Sequence, residues 1–290
     1  MFNHGYELLK LTEEFNVKIS QIVIKRESEL LEITESELRE RMKSVLKVMK
    51  SSAQKSIDEE VKSVGGIIGG DAKRIETYRK KGKTICGDIV NKAMARAFST
   101  SEVNAAMGRI CASPTAGSSG IIPAAIITVA EELGLGEEEM IDAMFTSAGI
   151  GTIIASNATV AGAEGGCQAE CGSAAAMAAA AIVEMAGGTP EMSLHAAATA
   201  IKNVLGLVCD PIAGLVEAPC AKRNASGVAN AMISADLALA GVKSIVPFDE
   251  VVDAMYRVGK SLPMELRETA LGGLATTETG KAINKRIFGE

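Results

Sequence analysis

The sequence predicts an all-α protein: a compact helical domain with glycine-rich loops, carrying an amphipathic helical arm at its N-terminal end. Three observations carry this prediction. Aromatic residues make up 3% of the 290 residues, with no Trp, while Gly numbers 29 and Ala is abundant, a composition that suits closely packed helices better than a β-sandwich. No alternating apolar and polar run of useful length occurs, and no internal repeat. Apolar residues recur instead at helical spacing between charges. At 47% hydrophobic the chain is too apolar for disorder, and its length suits one large domain or two small ones.

Residues 1–62 hold 23 of the 66 charged residues, whereas 144–245 hold 11. In the first stretch Leu30, Ile33, Leu38, Met42, Val45, Leu46 and Met49 repeat with helical spacing, and Thr34 stands three residues before Glu37 as in a capping box. Residues 1–64 therefore read as a helical arm packing on a core formed by 65–290, the two making one structural unit. The glycine pairs of Gly65-Gly66-Ile67-Ile68-Gly69-Gly70 break the pattern as a hinge or tight loop. Beyond them helices alternate with glycine-rich connections. Gly187-Gly188 closes an alanine-rich helix over 173–186, and Thr189, Pro190 and Glu191 supply the N-cap, first-turn proline and first-turn acid of the next. Further helices are expected over 224–240 and 249–258, the latter stopped by Gly259.

Location and partners are narrowed by charge. Glu7, Glu13 and Glu14, with no long apolar run beside them, do not read as a secretory signal, so a cytoplasmic protein is expected. The charge-free stretch 143–163 is long enough to span a bilayer. It contains Thr146, Ser147, Gly149, Gly151, Ser156 and Asn157, which would be costly in lipid, so it reads as buried structure and no membrane association is expected. A net charge of -6 disfavours nucleic acid as a partner. Six cysteines in a reducing compartment read as thiols or metal ligands.

Three loops interrupt the apolar helical sequence with polar, Gly and Cys residues. The first, 111–120 (CASPTAGSSG), can curl its N–H groups and hydroxyls, with the following helix start, around an anion; a carboxylate would suit it. Plain capping competes with that reading. A nucleotide cradle at Gly82-Lys83-Thr84 is rejected, because Thr77 occupies the place of its first glycine. The second and third loops, 163–172 and 208–220, place Cys167 after Gly-Gly, Cys209 before Asp-Pro and Cys220 after Pro, with Lys222 and Arg223 adding positive charge. Cysteines outside helical interiors in such settings point to a ligand role, against the alternative of small buried hydrophobes that fits Cys86 and Cys111. Zinc would use four ligands, for which Cys167, Cys171, Cys209 and Cys220 are available, whereas an iron-sulfur cluster on three leaves one iron open. The pattern alone leaves both open.

Longer motifs add a resemblance. GRICASPTAGSSGIIPA, EGGCQAECGSAAAMAAAAIVEMAGGTPE, NVLGLVCDPIAGLVEAPCAKRNA and LRETALGGLATTETGK resemble the α subunit of the iron-sulfur-dependent L-serine dehydratases over nearly the whole chain. The resemblance implies an all-helical subunit and a 4Fe-4S cluster on Cys167, Cys209 and Cys220. Cys171 departs from the family's usual apolar residue; it is expected to be a bystander, because a fourth thiolate would close the iron that substrate needs. The implied reaction converts L-serine to pyruvate and ammonia, the open iron acting as Lewis acid. Ser113, Thr115, Gly117 and Ser118 are then candidates for holding the substrate carboxylate, and Lys222, Arg223 and Asn224 for supporting cluster or substrate.

No general base is visible: His4 falls at an end expected to fray and His195 within a helix expected over 192–205. Two-chain members of the family pair this subunit with a β subunit that carries part of the active site, so a hetero-oligomer is implied, and the chain alone is expected to bind the cluster with little activity. A pyridoxal phosphate enzyme is disfavoured, since no Ser-x-Lys segment with its usual flanks appears. Two alternatives stand beside the main reading: a non-catalytic iron-sulfur or zinc-binding helical subunit serving as sensor or assembly module, and a related lyase acting on L-threonine or L-cysteine. A single methyl group or sulfur-for-oxygen exchange shifts discrimination by only about 1–3 kcal/mol.

Overall fold

The computed structural model describes residues 1–289. Among them the regular structure is helical throughout, with two isolated bridges, Lys62 with Gly69 and Cys209 with Arg267, in place of a sheet. The expected all-α class is what folds.

The N-terminal arm is three helices, α1 (Gly5–Phe15), α2 (Ile19–Leu31) and α3 (Glu35–Asp58). Asn16 and Glu32 end the first two in the left-handed conformation, a break no glycine announces. Leu30 and Ile33 thus fall outside α3, and Leu30 is exposed. Thr34 caps α3 as expected, accepting from Glu37 N at 3.2 Å, while the Glu37 side chain turns to Arg41. His4 is not frayed: it N-caps α1, and its N–H donates to Glu7 Oε2 at 3.1 Å.

Next come α4 (Asp71–Arg79), α5 (Gly87–Ala105), α6 (Ile121–Leu133), α7 (Glu137–Asn157), the single turn α8 (Gly162–Gly165), α9 (Ser173–Met185), α10 (Pro190–Lys202), α11 (Cys220–Leu239), α12 (Phe248–Ser261) and α13 (Glu278–Phe288). The core is organised around α9, which α6, α7, α10 and α11 surround. Its alanines, Ala174 to Ala176 and Ala178 to Ala181, are wholly buried. Methyl-sized side chains let those helices come to the near end of the usual ~8–10 Å separation. Hydroxyls join the layers, Ser147 donating to Met177 O at 3.1 Å and Ser193 to Ala180 O at 3.2 Å. Phe2 and Leu8 of the arm and Ile19 and Val23 of α2 belong to the same hydrophobic cluster as α6, α7, α9 and α10. No helix of the described residues is long and apolar enough to cross a membrane; the charge-free stretch lies mostly in α7, which ends at Asn157.

Two helix boundaries differ from expectation in ways that shape the site. The last of the core helices starts at Cys220, one turn before residue 224, so Lys222, Arg223 and Asn224 all lie in its opening turns. Gly259 does not stop α12, which continues to Ser261. A Cβ at Gly259 would lie 2.7 Å from Gly165 Cα and 3.1 Å from Gln168 Nε2, so the glycine serves the close passage of α12 over the Cys167 loop.

Candidate active site

The second loop is built by a backbone reversal and an irregular helix start. Gly166 has φ +76°, and a Cβ there would stand 2.9 Å from Leu207 O, so the position is restricted to glycine twice over. Cys167 follows at the head of a π-helical turn, Gln168–Gly172, which runs directly into α9. Such turns re-aim side chains locally. Gln168, fully buried, pins the turn: its Nε2 donates to Gly165 O (3.0 Å) and Met255 O (2.9 Å), and its Oε1 accepts from Gly206 N (2.9 Å).

Cys209 is held by main chain from far along the sequence. Cys209 N donates to Leu266 O at 2.9 Å and Glu268 N donates to Cys209 O at 2.7 Å, a short parallel bridge that lays the LRETALGG segment beside the thiol. Asp210 secures the same segment, accepting from Leu274 N and from Arg223 Nη2, each at 2.7 Å. Gly273 is required there, since a Cβ would meet Asp210 Oδ2 at 2.4 Å.

Cys220 is placed by a buried carboxylate three residues earlier. Glu217 accepts from Gly65 N (2.7 Å), Ile67 N (3.0 Å), Ile68 N (3.3 Å) and the Ser63 hydroxyl. The glycine segment 65–70 is thus a tight loop curled around an anion, that anion being a side chain of the third loop.

Cys167, Cys209 and Cys220 lie near enough to feel one another's charge, with Cys171 and Arg223 in the same neighbourhood. The pairing of Cys167 with Cys171 lowers Cys167, helped by the Arg223 guanidinium, and raises Cys171. Burial pushes Cys209 far above the ordinary thiol range, with the charge of Glu170 adding to it, and pushes Cys220 up to about 12, with the charge of Cys167 adding to it. The Cys209 and Cys220 thiolates are therefore disfavoured by burial and by neighbouring negative charge unless a cation shares them, whereas that of Cys167 is favoured. Arg223 is the local positive charge, fixed by donation to Val208 O (2.8 Å) and Asp210.

The first loop joins this group through Glu170, inside the π turn. Thr115 Oγ1 donates to Glu170 Oε1 at 2.8 Å and lies 3.0 Å from Ser118 Oγ. Glu170 Oε2 is 3.8 Å from Cys209 Sγ, and ligand atoms of Glu170, Cys209 and Glu268 lie within 4.8 Å of one another. Burial, reinforced by the charge of Glu268, pushes the Glu170 carboxyl up against the opposing effect of Thr115.

The other candidates divide. Gly117 sits against Glu170, where a Cβ would be 3.2 Å from its Oε1. Ser113 is half-buried, its N–H donating to Thr115 O at 3.2 Å. Asn224 is buried and engaged with protein: Gly120 N donates to its Oδ1 (2.9 Å), while its Nδ2 donates to Gly117 O (2.7 Å) and Cys220 O (2.9 Å). It clamps the first loop to the start of α11. Lys222 is exposed. His195 faces Glu191 on α10 and lines a separate cavity with Tyr6 and Phe248. Residue patterns did not single out Glu170, Glu217, Asp210 or Glu268; the motif segments contain all four, the only signal that could have raised them.

The sequence model of the family described as "Serine dehydratase alpha chain" matches residues 14–275, and the chain belongs to that family. It is 52% identical over 289 residues to the "Probable L-serine dehydratase, alpha chain" of Bacillus subtilis, covering 100% of this chain and 96% of that one. Against the "L-serine dehydratase, alpha chain" of Peptoniphilus asaccharolyticus the identity is 54% over 290 residues, covering 100% and 99%. The "L-serine dehydratase" of Streptomyces coelicolor is 34% identical over 282 residues, 94% of this chain but 60% of that longer one.

Proposed function

We propose that this chain is the α subunit of an L-serine ammonia-lyase, converting L-serine to pyruvate and ammonia in the cytoplasm with a 4Fe-4S cluster on Cys167, Cys209 and Cys220 and a β chain as partner. The observation that carries the reading is that Cys167 of the second loop and Cys209 and Cys220 of the third lie close enough to feel one another's charge, with Glu170 linking Cys209 to Thr115 of the first loop. Full-length similarity to relatives named L-serine dehydratase, alpha chain, supports the substrate and reaction.

The donor set fits such a cluster. Buried or half-buried thiols, Cys209 and Cys220 raised and Cys167 lowered, are stabilised by soft cations that take them as thiolates, and Arg223 offsets part of the added negative charge. When bound, a cluster on three protein thiolates supplies a Lewis-acid iron for the departing β-hydroxyl. The chain's own residues do the rest. The backbone of the first loop orients the substrate carboxylate, with the Thr115 and Ser118 hydroxyls turning to it from their contacts with Glu170 and with each other when substrate binds, and with Asn224 clamping that loop to Cys220. Glu170, gripped by Thr115, keeps the first and second loops in register. Loss of water leaves an enamine, which hydrolyses to pyruvate and ammonia.

Apolar side chains at the rim favour a partner there: Met264, Leu271 and Leu274, on the segment that flanks Cys209 and Asp210, are 55%, 59% and 43% exposed. Anaerobic co-production with the β chain, followed by iron and sulfide analysis and a pyruvate assay, tests the reading. Iron, sulfide and pyruvate formation are expected for the pair, and little turnover for this chain alone. Cys167→Ser, Cys209→Ser and Cys220→Ser should each lose iron, and Cys171→Ala should keep it. A pair that binds no iron and forms no pyruvate refutes the proposal.

A further inference from the structure

We propose that Glu268 is the residue that recognises the substrate's α-ammonium group and so makes the site select an amino acid over a hydroxy acid. The inference rests on the L-serine reading and assigns a residue that the motif analysis left without a role. L-Serine carries carboxylate, ammonium and β-hydroxyl within one residue's span. A site for it therefore needs an anion-binding element and an anionic acceptor a few ångströms apart. The first loop supplies the former. Thr115 meets Glu170 at 2.8 Å, and Glu170, Cys209 and Glu268 offer ligand atoms within 4.8 Å of one another, so Glu170 stands between the loop and Glu268 and joins them in one site.

Of the two carboxylates, Glu170 is committed: one oxygen accepts from Thr115 and the other lies against Cys209 Sγ. Glu268 is exposed at the mouth, with no hydrogen bond or ion pair to its carboxylate among the described residues. Its position is nevertheless built. Glu268 N donates to Cys209 O at 2.7 Å, and its φ of +66° is strained for a residue with a side chain. Gly162 clears the space, since a Cβ there would stand 2.6 Å from Glu170 Oε2 and 3.0 Å from Glu268 Oε2. A carboxylate fixed by backbone beside a reactive centre, and left free at its oxygens, fits a ligand ammonium.

The test compares the anaerobically prepared α/β complex carrying Glu268→Gln or Glu268→Asp with the parent. It reads iron content, melting temperature with and without L-serine, KM and kcat for L-serine, and inhibition by 3-hydroxypropanoate, which keeps the carboxylate and β-hydroxyl but lacks the ammonium. Glu268→Gln should keep its iron, raise KM about tenfold or more, lose most of the stabilisation by L-serine, and bind 3-hydroxypropanoate as the parent does. Glu268→Asp should fall between. An unchanged KM, an equal weakening of both ligands, or a loss of iron overturns the assignment. A parent complex that forms no pyruvate from L-serine overturns the reading beneath it, an outcome distinct from an active parent with an indifferent variant.

Discussion

Glu217→Gln separates the anchoring of Cys220 from the chemistry at it. In the parent, Oε1 accepts from Gly65 N, and Oε2 accepts from Ile67 N, Ile68 N and the Ser63 hydroxyl. Glutamine keeps one acceptor oxygen. If that oxygen replaces Oε2, the amide nitrogen faces Gly65 N, one charge-assisted bond of about 1.5–3 kcal/mol is lost, and a donor is left facing a donor in a buried site. The opposite rotamer confronts three donors and is worse. Relief from burying a charge offsets part of this, leaving an expected destabilisation of about 2–4 kcal/mol, a large share of the roughly 5–15 kcal/mol that holds a domain folded. Ser63→Ala removes one of four donors and should cost about 1 kcal/mol. Urea unfolding of the chain, with both variants beside the parent at equal m-value, measures the difference. Because Cys220 lies three residues on, Glu217→Gln should also retain less iron after anaerobic reconstitution. A midpoint matching that of Ser63→Ala, with parent-like iron, would show that the glycine loop does not depend on this carboxylate.

Two further outcomes follow from packing and burial. Gly259→Ala gains up to about 1 kcal/mol of helix propensity but drives a Cβ into Gly165 and Gln168; overpacking of about 1–3 kcal/mol should win, so urea unfolding should show a net loss, and a stabilised variant would contradict the close passage of α12. Glu184 is pushed above the ordinary glutamate value of 4.5 by burial, opposed by Ser20 and Thr146 and, more weakly, by Lys18. The folded chain therefore binds this proton more tightly than the unfolded one, and stability must fall as pH rises from about 4.5 through the folded value. Glu184→Gln cannot titrate, so the parent's stability relative to it should decline across that window and level off above it; a flat or rising difference in urea melts at stepped pH would contradict this.

What could be read from the sequence was what local chemistry encodes. The alanine run of α9, the Thr189-Pro190 start of α10, the Thr34 cap and the placement of cysteines beside Gly, Asp-Pro and Pro are each decided within a few residues. The misread features are decided far away. Gly259 looked like a helix stop because its need for a hydrogen atom arises from Gly165, well removed in sequence. Asn224, a candidate for supporting cluster or substrate, has its amide engaged by Gly117, Gly120 and Cys220, two of them about a hundred residues away. Glu217 reaches back about 150 residues to the Gly65 loop. Glu32 turns the chain left-handed without a glycine to mark it.

The three proposed ligands are not held by equivalent means, and that asymmetry has a physical consequence. Cys167 feeds through the π turn into α9, and Cys220 opens α11; these helices pack directly on one another. Their separation is therefore set by an alanine-lined interior that resists compression and expansion alike. Cys209 has no helix. Its place comes from two main-chain bonds to residues 266–268 and from Asp210, which is tied in turn to Leu274 and Arg223. Displacing the LRETALGG segment would shift Cys209 and Glu268 together while leaving Cys167 and Cys220 in place. That segment and the residue after it expose Leu271 and Leu274, so a chain seated on those leucines would bear directly on one thiol of the three and on the carboxylate at the mouth. A partner seated there would be coupled to the geometry of Cys209 through a handful of hydrogen bonds.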